Sequence, residues 1–231
     1  MMPAHIGKTL GEFGRARHLV LLISLLLLFL VSPFVVSVRY GTVIITIASA
    51  IVMVSGTYAV SERRRFFVVT LVVAAAAVAT NWLMVALQRE WIAVASHGLT
   101  LLLLGLFAVG ILGDVLHGGR ISADKIYGAI CVYFLVGFAW TFGYAIMELI
   151  KPGSFSGLVD TDRADYVGQV LQMSYFSFAT LTTLGYGDIV PRSPAARTLA
   201  TLEAAMGQVY LAVLIARLVG LHIVHSSRDG D

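Results

Sequence analysis

The sequence predicts an all-α membrane protein with six membrane-spanning helices and a short re-entrant segment between the fifth and sixth. Three observations predict it. Apolar residues fill 58% of the 231 positions and charged residues only 13%, where a soluble domain carries about 25%. With a mean hydropathy of +0.88, the chain cannot cover its own surface with polar groups, so lipid must cover much of it. Six apolar stretches each reach the roughly 20 residues that a helix needs to cross the hydrocarbon. A seventh, 166–180, is too short and too polar to span, and a run with alternating glycines follows it. The net charge of +3 comes mainly from connecting segments, which argues against a nucleic-acid-binding protein. Cys131 is the only cysteine. An internal disulfide is therefore excluded, and its apolar surroundings suit a small buried hydrophobe.

The six stretches are 19–38, 41–60, 66–87, 92–116, 126–149 and 195–222. Pro33 falls inside the first, where a membrane helix tolerates it as a kink. Lys8, Arg15 and Arg17 precede that span, but its length and the lack of a small-residue cleavage site point to a retained helix. Six spans place both termini on one face, which carries ten of the basic residues against six opposite. The positive-inside rule then makes the termini cytoplasmic, in a cell membrane of bacterial inner-membrane type. Arg63, Arg64 and Arg65 read as a topology anchor in contact with lipid headgroups, with an anionic-lipid regulatory site as the alternative. The domain reading is a cytoplasmic N-terminus (1–18), a four-helix unit (19–116), a linker (117–125), a two-helix unit holding the re-entrant segment (126–222) and a short tail (223–231). A short interfacial helix is expected within the linker. The connection 151–165, rich in Gly, Ser and Asp, reads as an ordered external loop.

The glycine-bearing run carries the chemistry. Residues 182–188 read Thr-Thr-Leu-Gly-Tyr-Gly-Asp. Backbone carbonyls replace the water shell of a dehydrated cation when successive residues alternate in hand and aim every C=O at one axis. Glycine makes the left-handed positions cheap, and Gly185 and Gly187 alternate as required. Thr183 adds a hydroxyl at one end, and Leu184 contributes its carbonyl. Irregular backbone at membrane depth is tolerated only beside a water-filled path. One such loop cannot enclose an axis, so several copies must assemble.

Thr183, Leu184, Gly185, Tyr186, Gly187 and Asp188 resemble the signature filter of the tetrameric potassium channel family, usually Thr-Val-Gly-Tyr-Gly-Asp. The resemblance covers about 126–217 firmly, and the first four spans only by number and hydropathy. It implies a homotetramer and K⁺ bound by the carbonyls of Thr183, Leu184, Gly185 and Tyr186 and by the Thr183 hydroxyl. It also implies a pore helix over about 167–182 whose C-terminal partial charge faces the cavity. Tyr175 and Phe176 match the family's adjacent pore-helix aromatics. Tyr175 is placed to reach Asp188, and the Tyr186 ring should pack against both aromatics. Ala179 stands where some bacterial channels carry a glutamate, so that acid-to-acid brace is missing here.

In the sixth span, Gly207 lies nineteen residues after Asp188, where the family has a hinge glycine; a plain packing glycine is the alternative. Gln208, Leu211, Ile215 and Val219 fall on one helical stripe. That stripe is read as cavity lining, with helix packing as the alternative. Glu203 is an ionisable residue inside a span and hence a functional candidate; a buried bond to the pore helix is preferred to proton sensing. His97 in the fourth span reads as a satisfied interhelical histidine rather than a switch. Glu148, Asp160, Asp162, Asp165 and Asp188 are expected around the outer mouth.

The fourth span, 92–116, contains no Arg or Lys, whereas steep voltage gating needs several charges there. The expectation is a potassium-selective channel subunit, not an enzyme, with weak or no voltage dependence and no cofactor beyond the permeant ion. A poorly selective cation channel and a non-conducting sensor or scaffold remain open at this stage.

Overall fold

A computed structural model describes residues 17–61, 64–116, 122–159 and 165–228, with side chains described as far as Arg217. Its helices in chain order are α1 (Arg17–Val35), α2 (Gly41–Ala59), α3 (Arg64–Leu87), α4 (Glu90–Leu116), α5 (Ala123–Ile150), α6 (Tyr166–Leu181) and α7 (Pro194–Arg228). All but α6 are long and apolar enough to cross a membrane, so the chain is a multi-pass, all-α membrane protein. Lys8, Arg15, Arg63, Arg120, Asp160, Asp162, Arg163 and the Val219 side chain lie outside the described residues.

The helix ends differ from the expected bounds for local reasons. Ser122 caps α5 by accepting from Lys125 N at 3.3 Å, so residues 123–125 open α5 rather than a separate interfacial helix. Asp165 caps α6 in the same way, accepting from Gly168 N at 2.9 Å. Pro33 sits near the end of α1 and does not interrupt it.

Helices α1 and α4 pack against α5, and among the described residues the α4–α5 pairing is the most extensive. Only residues 117–122 join those two helices, which makes them an antiparallel hairpin. Polar ties fix the α1 end of this contact. Arg17 pairs with Asp114 at 3.4 Å, while His18 Nδ1 lies 2.7 Å from Asp124 Oδ2. Deeper in, Phe178 of α6 packs at 4.5 Å from Phe29 of α1 and 5.3 Å from Phe138 of α5. A side chain at Gly137 would collide with the Phe178 ring, so a small residue there lets α6 seat against α5.

The connection from α5 to α6 and the one from 188 onward are clipped together. Phe155–Ser156 (β1) and Val190–Pro191 (β2) pair antiparallel, with Phe155 opposite Pro191 and Ser156 opposite Val190. Arg192 N adds a bond to Ser154 O at 2.7 Å. Glu148 anchors this clip from the end of α5, accepting from Gly153 N at 2.6 Å and Phe155 N at 3.1 Å. It is 8% exposed, so it is a loop anchor and not a charge at the outer surface.

Candidate functional site

Residues 182–188 leave the end of α6 as irregular backbone between α6 and α7. Three positions in this run have positive φ: Thr183 at 59°, Gly185 at 55° and Gly187 at 80°. Leu184 and Tyr186 between them do not, so the hand of the chain alternates over five residues. The glycines adopt this conformation without cost. Thr183 does not: a β-branched residue in the left-handed region is strained, and such strain concentrates at functional sites. Sequence reasoning credited the glycines and gave no sign that Thr183 would join them.

The end of α6 holds the start of this run through its own carbonyls. Thr183 N bonds Thr180 O at 2.9 Å, and Gly185 N bonds Ala179 O at 3.1 Å. Ala179 thus contributes through its backbone, where a side-chain brace was the missing feature. Tyr133 of α5 donates its hydroxyl to Leu181 O at 3.4 Å.

The far end is clasped by a side-chain pair. Tyr175 donates its hydroxyl to Asp188 Oδ2 at 2.8 Å, and Ile189 N bonds Asp188 Oδ1 at 3.0 Å. The bond from Tyr175 holds the Asp188 carboxyl below the usual carboxylate range. The same bond is the main reason that the Tyr175 phenol is pushed up to about 12. Tyr186 stacks on Tyr175, with ring centroids 6.3 Å apart and planes 6° from parallel. Phe176 does not share that role. It turns into the cluster of Tyr144 and Phe155, at 5.1 and 5.2 Å, because consecutive helical residues face different ways.

Behind α6 lies a buried polar node. Glu203 of α7 is 0% exposed. Its Oε2 accepts from the Tyr144 hydroxyl of α5 at 2.7 Å, and its Oε1 lies 2.5 Å from the Ser177 Oγ of α6. Ser177 Oγ is also 2.7 Å from Gly137 O. A hydroxyl has one proton and a carbonyl can only accept, so the two acceptors share that proton or Glu203 supplies its own. Three helices therefore meet at one carboxyl group. The sequence singled out Glu203 but gave no signal for Ser177 or Tyr144.

Helix α7 runs unbroken through Gly207. A side chain there would run into Leu181 O and the Leu181 side chain, so close packing against the end of α6 is reason enough for the glycine. Gln208 Nε2 lies 3.4 Å from Thr183 Oγ1, which brings the helical stripe to the irregular run. Leu211 and Ile215 are exposed on the single chain, as are Leu184 and Tyr186. Tyr210, which sequence reasoning passed over, donates to Ala129 O of α5 at 2.6 Å.

Other expected residues fall elsewhere. Arg64 and Arg65 are exposed at the start of α3. Asp165 serves as the α6 cap described above. His97 is not a satisfied histidine: it is 2% exposed and its Nε2 has no hydrogen-bond partner among the described residues. Among the described residues, no group of three or more His, Cys, Asp or Glu is placed to hold a metal ion.

Residues 134–221 match the family model described as "Ion channel". That segment runs from α5 to α7 and contains the irregular run, so the likeness to ion channels falls on the part of the chain that holds it. Within that class, potassium channels carry the likeness. The chain is 40% identical over 68 residues to the inward rectifier potassium channel Kirbac3.1 of Paramagnetospirillum magnetotacticum, covering 29% of this chain and 18% of that protein. It is 25% identical over 101 residues to the two pore potassium channel a of Oryza sativa subsp. japonica, covering 44% of this chain and 28% of that protein. Protein LctB of Bacillus caldotenax is 29% identical over 102 residues, 43% of this chain and 74% of its own length. The chain thus spans less than a third of the first two relatives. No solved structure matches it. The likeness to potassium channels thus covers part of the chain, 29% and 44% of it for the first two relatives.

Proposed function

We propose that this chain is one subunit of a homotetrameric, potassium-selective channel that conducts passively. The observation that carries the reading is the alternating hand at Thr183, Gly185 and Gly187. Alternation turns successive peptide units so that their oxygens stack along one line, the arrangement that substitutes for an ion's hydration shell. Thr183, Leu184, Gly185 and Tyr186 would supply the carbonyls, and Gly187 the last left-handed turn. Asp188 and Tyr175 would hold the outer end, while α6 acts as the pore helix.

Assembly follows from what one chain leaves bare. Leu184 is 56% exposed and Tyr186 68% exposed, and apolar residues of α7 such as Val209 and Ile215 are open at 61%. Four copies around an axis would cover these surfaces and close the ring of oxygens. Gln208, Leu211 and Ile215 would then line an inner cavity, with Val219 continuing the stripe. The permeating ion is the only ligand this chemistry needs.

Helix α4 contains neither Lys nor Arg. Each charge moved through the field is worth about 2.3 kcal/mol per 100 mV, so α4 has no basic charge to convert voltage into motion. The proposed conductance is therefore weakly voltage dependent or independent. The cell membrane is its proposed site, with both termini cytoplasmic and Arg64 and Arg65 beside lipid headgroups.

Flux from liposomes tests this reading. Purified chain reconstituted with a potassium gradient should release K⁺ at least tenfold faster than Na⁺. Equal release of the two ions would favour a poorly selective cation channel. No release from well-formed tetramers would favour a scaffold.

A further inference from the structure

A cavity of about 100 Å³ lies where the first four helices meet α5 and α6. Each of these helices gives it a wall: Leu28 of α1, Ser49 of α2, Asn81 of α3, His97 of α4, Phe142 of α5 and Ser174 of α6. Most of the remaining lining is Leu, Val, Met and Phe, and none of the lining residues is Asp, Glu, Lys or Arg.

Ser32, Thr46 and Thr100 at this cavity bond carbonyls of their own helices and Asn81 bonds Ser49, but His97 does not follow them. Among the described residues, the Nε2 of His97 has no hydrogen-bond partner although the residue is 2% exposed. Ser96, at 1% exposed, also faces the cavity beside it. The Phe142 ring lies 5.4 Å from the His97 ring, so an apolar wall stands beside the imidazole. Buried polar groups are normally paired, and an apolar pocket with a few convergent polar groups is the usual form of a small-molecule site.

We propose that this cavity binds an uncharged, mainly apolar small molecule with one hydrogen-bonding group. That group meets His97 Nε2, and the apolar body packs against Phe142 and its neighbours. Charged ligands are excluded by chemistry, since the lining offers no countercharge. Water alone would answer the nitrogen but leave the apolar wall without contacts.

The position gives the ligand a consequence. It touches both the first four helices and α6, so it sits at the contact between them. Ser174 immediately precedes Tyr175, whose hydroxyl holds Asp188. Occupancy would therefore bear on the clasp of the irregular run. Only this effect rests on the channel reading; binding does not.

The test uses the full chain in lipid nanodiscs and a diazirine-bearing analogue of octan-1-ol as the photoreactive probe. Labelling should saturate, map to α4 and α6 peptides facing the cavity, and fall at least fivefold with excess octan-1-ol. His97→Leu should lower it at least fivefold, whereas His97→Gln, which keeps a hydrogen-bonding group, should retain most of it. Ser174→Phe fills the cavity from α6 and should lower labelling with His97 intact; monodisperse elution of each variant shows that it folds. Labelling that rises linearly, spreads over exposed lipid-facing residues or is unchanged in His97→Leu and Ser174→Phe would overturn the proposal. Equal loss in His97→Leu and His97→Gln would overturn the role of the hydrogen bond. Liposome flux run in parallel separates the two readings: saturable labelling without potassium flux contradicts the channel and leaves the cavity standing.

Discussion

Buried polar groups behave differently in the two halves of this molecule. In α2, α3 and α4, the buried threonines bond carbonyls of their own helix: Thr57 to Met53 at 2.8 Å, Thr70 to Phe66 at 3.1 Å and Thr100 to Ser96 at 2.8 Å. In α5 the buried Thr141 also bonds its own helix, to Gly137 O at 2.9 Å, but α5–α7 add bonds that cross between helices: Tyr144 and Ser177 to Glu203, Tyr210 to Ala129 and Tyr133 to Leu181. A hydroxyl that satisfies itself locally leaves its helix free to adjust by shape alone. A bond between helices fixes their register, because a shift strands a buried polar group. The first half is thus an apolar packing of helices, with polar ties such as Ser24 to Ser55 at 2.9 Å. The second is locked around one irregular run, which is what a site that must hold oxygens in place requires.

Substitutions should follow this contrast, and the largest effect belongs at the irregular run. Gly185→Ala forces an alanine into a left-handed position, φ 55°, and should abolish potassium flux while the detergent-extracted protein stays helical by circular dichroism. Next comes the node. Glu203→Ala leaves the buried Tyr144 hydroxyl without its partner and Ser177 with Gly137 O alone, and should cost about 2–4 kcal/mol, read as a lower thermal midpoint in detergent. Glu203→Gln keeps an acceptor and should cost less.

The clasp at Asp188 gives a smaller and pH-dependent effect. Asp188 is held below the usual carboxylate range, so its bond from Tyr175 is intact at neutral pH and is lost only as pH falls through that lowered value. At the alkaline end Tyr175 keeps its proton until about 12. Tyr175→Phe removes the bond and should move the acid loss of conductance upward, toward ordinary carboxylate pH, as measured by conductance against external pH. Smallest is Thr70→Val in α3. Because Thr70 bonds only its own helix, its loss should change the thermal midpoint by less than the equivalent of about 1 kcal/mol. An effect there as large as at Glu203 would erase the distinction between the halves.

The sequence made these halves legible to different depths. Six spans and the short α6 were readable, because hydropathy over about 20 residues is a strong signal and Gly185 and Gly187 mark backbone that cannot be regular. Tyr175 was placed beside Asp188 by the family resemblance, and the two lie in hydrogen-bond contact. What was not readable depends on contacts between distant parts of the chain. Ser177 and Tyr144 look like ordinary residues of apolar helices until α7 brings Glu203 to them. Thr183 carries no local sign of left-handed backbone, since β-branched residues resist it. Glu148 read as a surface charge because loop capping cannot be seen without the loop. His97 read as satisfied because most buried histidines are, and only packing shows its free Nε2.

The central claim is that the alternating run Thr183–Gly187 passes potassium in preference to sodium. Single-channel recording in a planar bilayer, with KCl on one side and NaCl on the other, tests it most directly. A potassium-selective run puts the reversal potential tens of millivolts from zero with the KCl side negative, and Gly185→Ala should carry no such current. A reversal potential near zero, with open-channel currents carried equally by both ions, would contradict it.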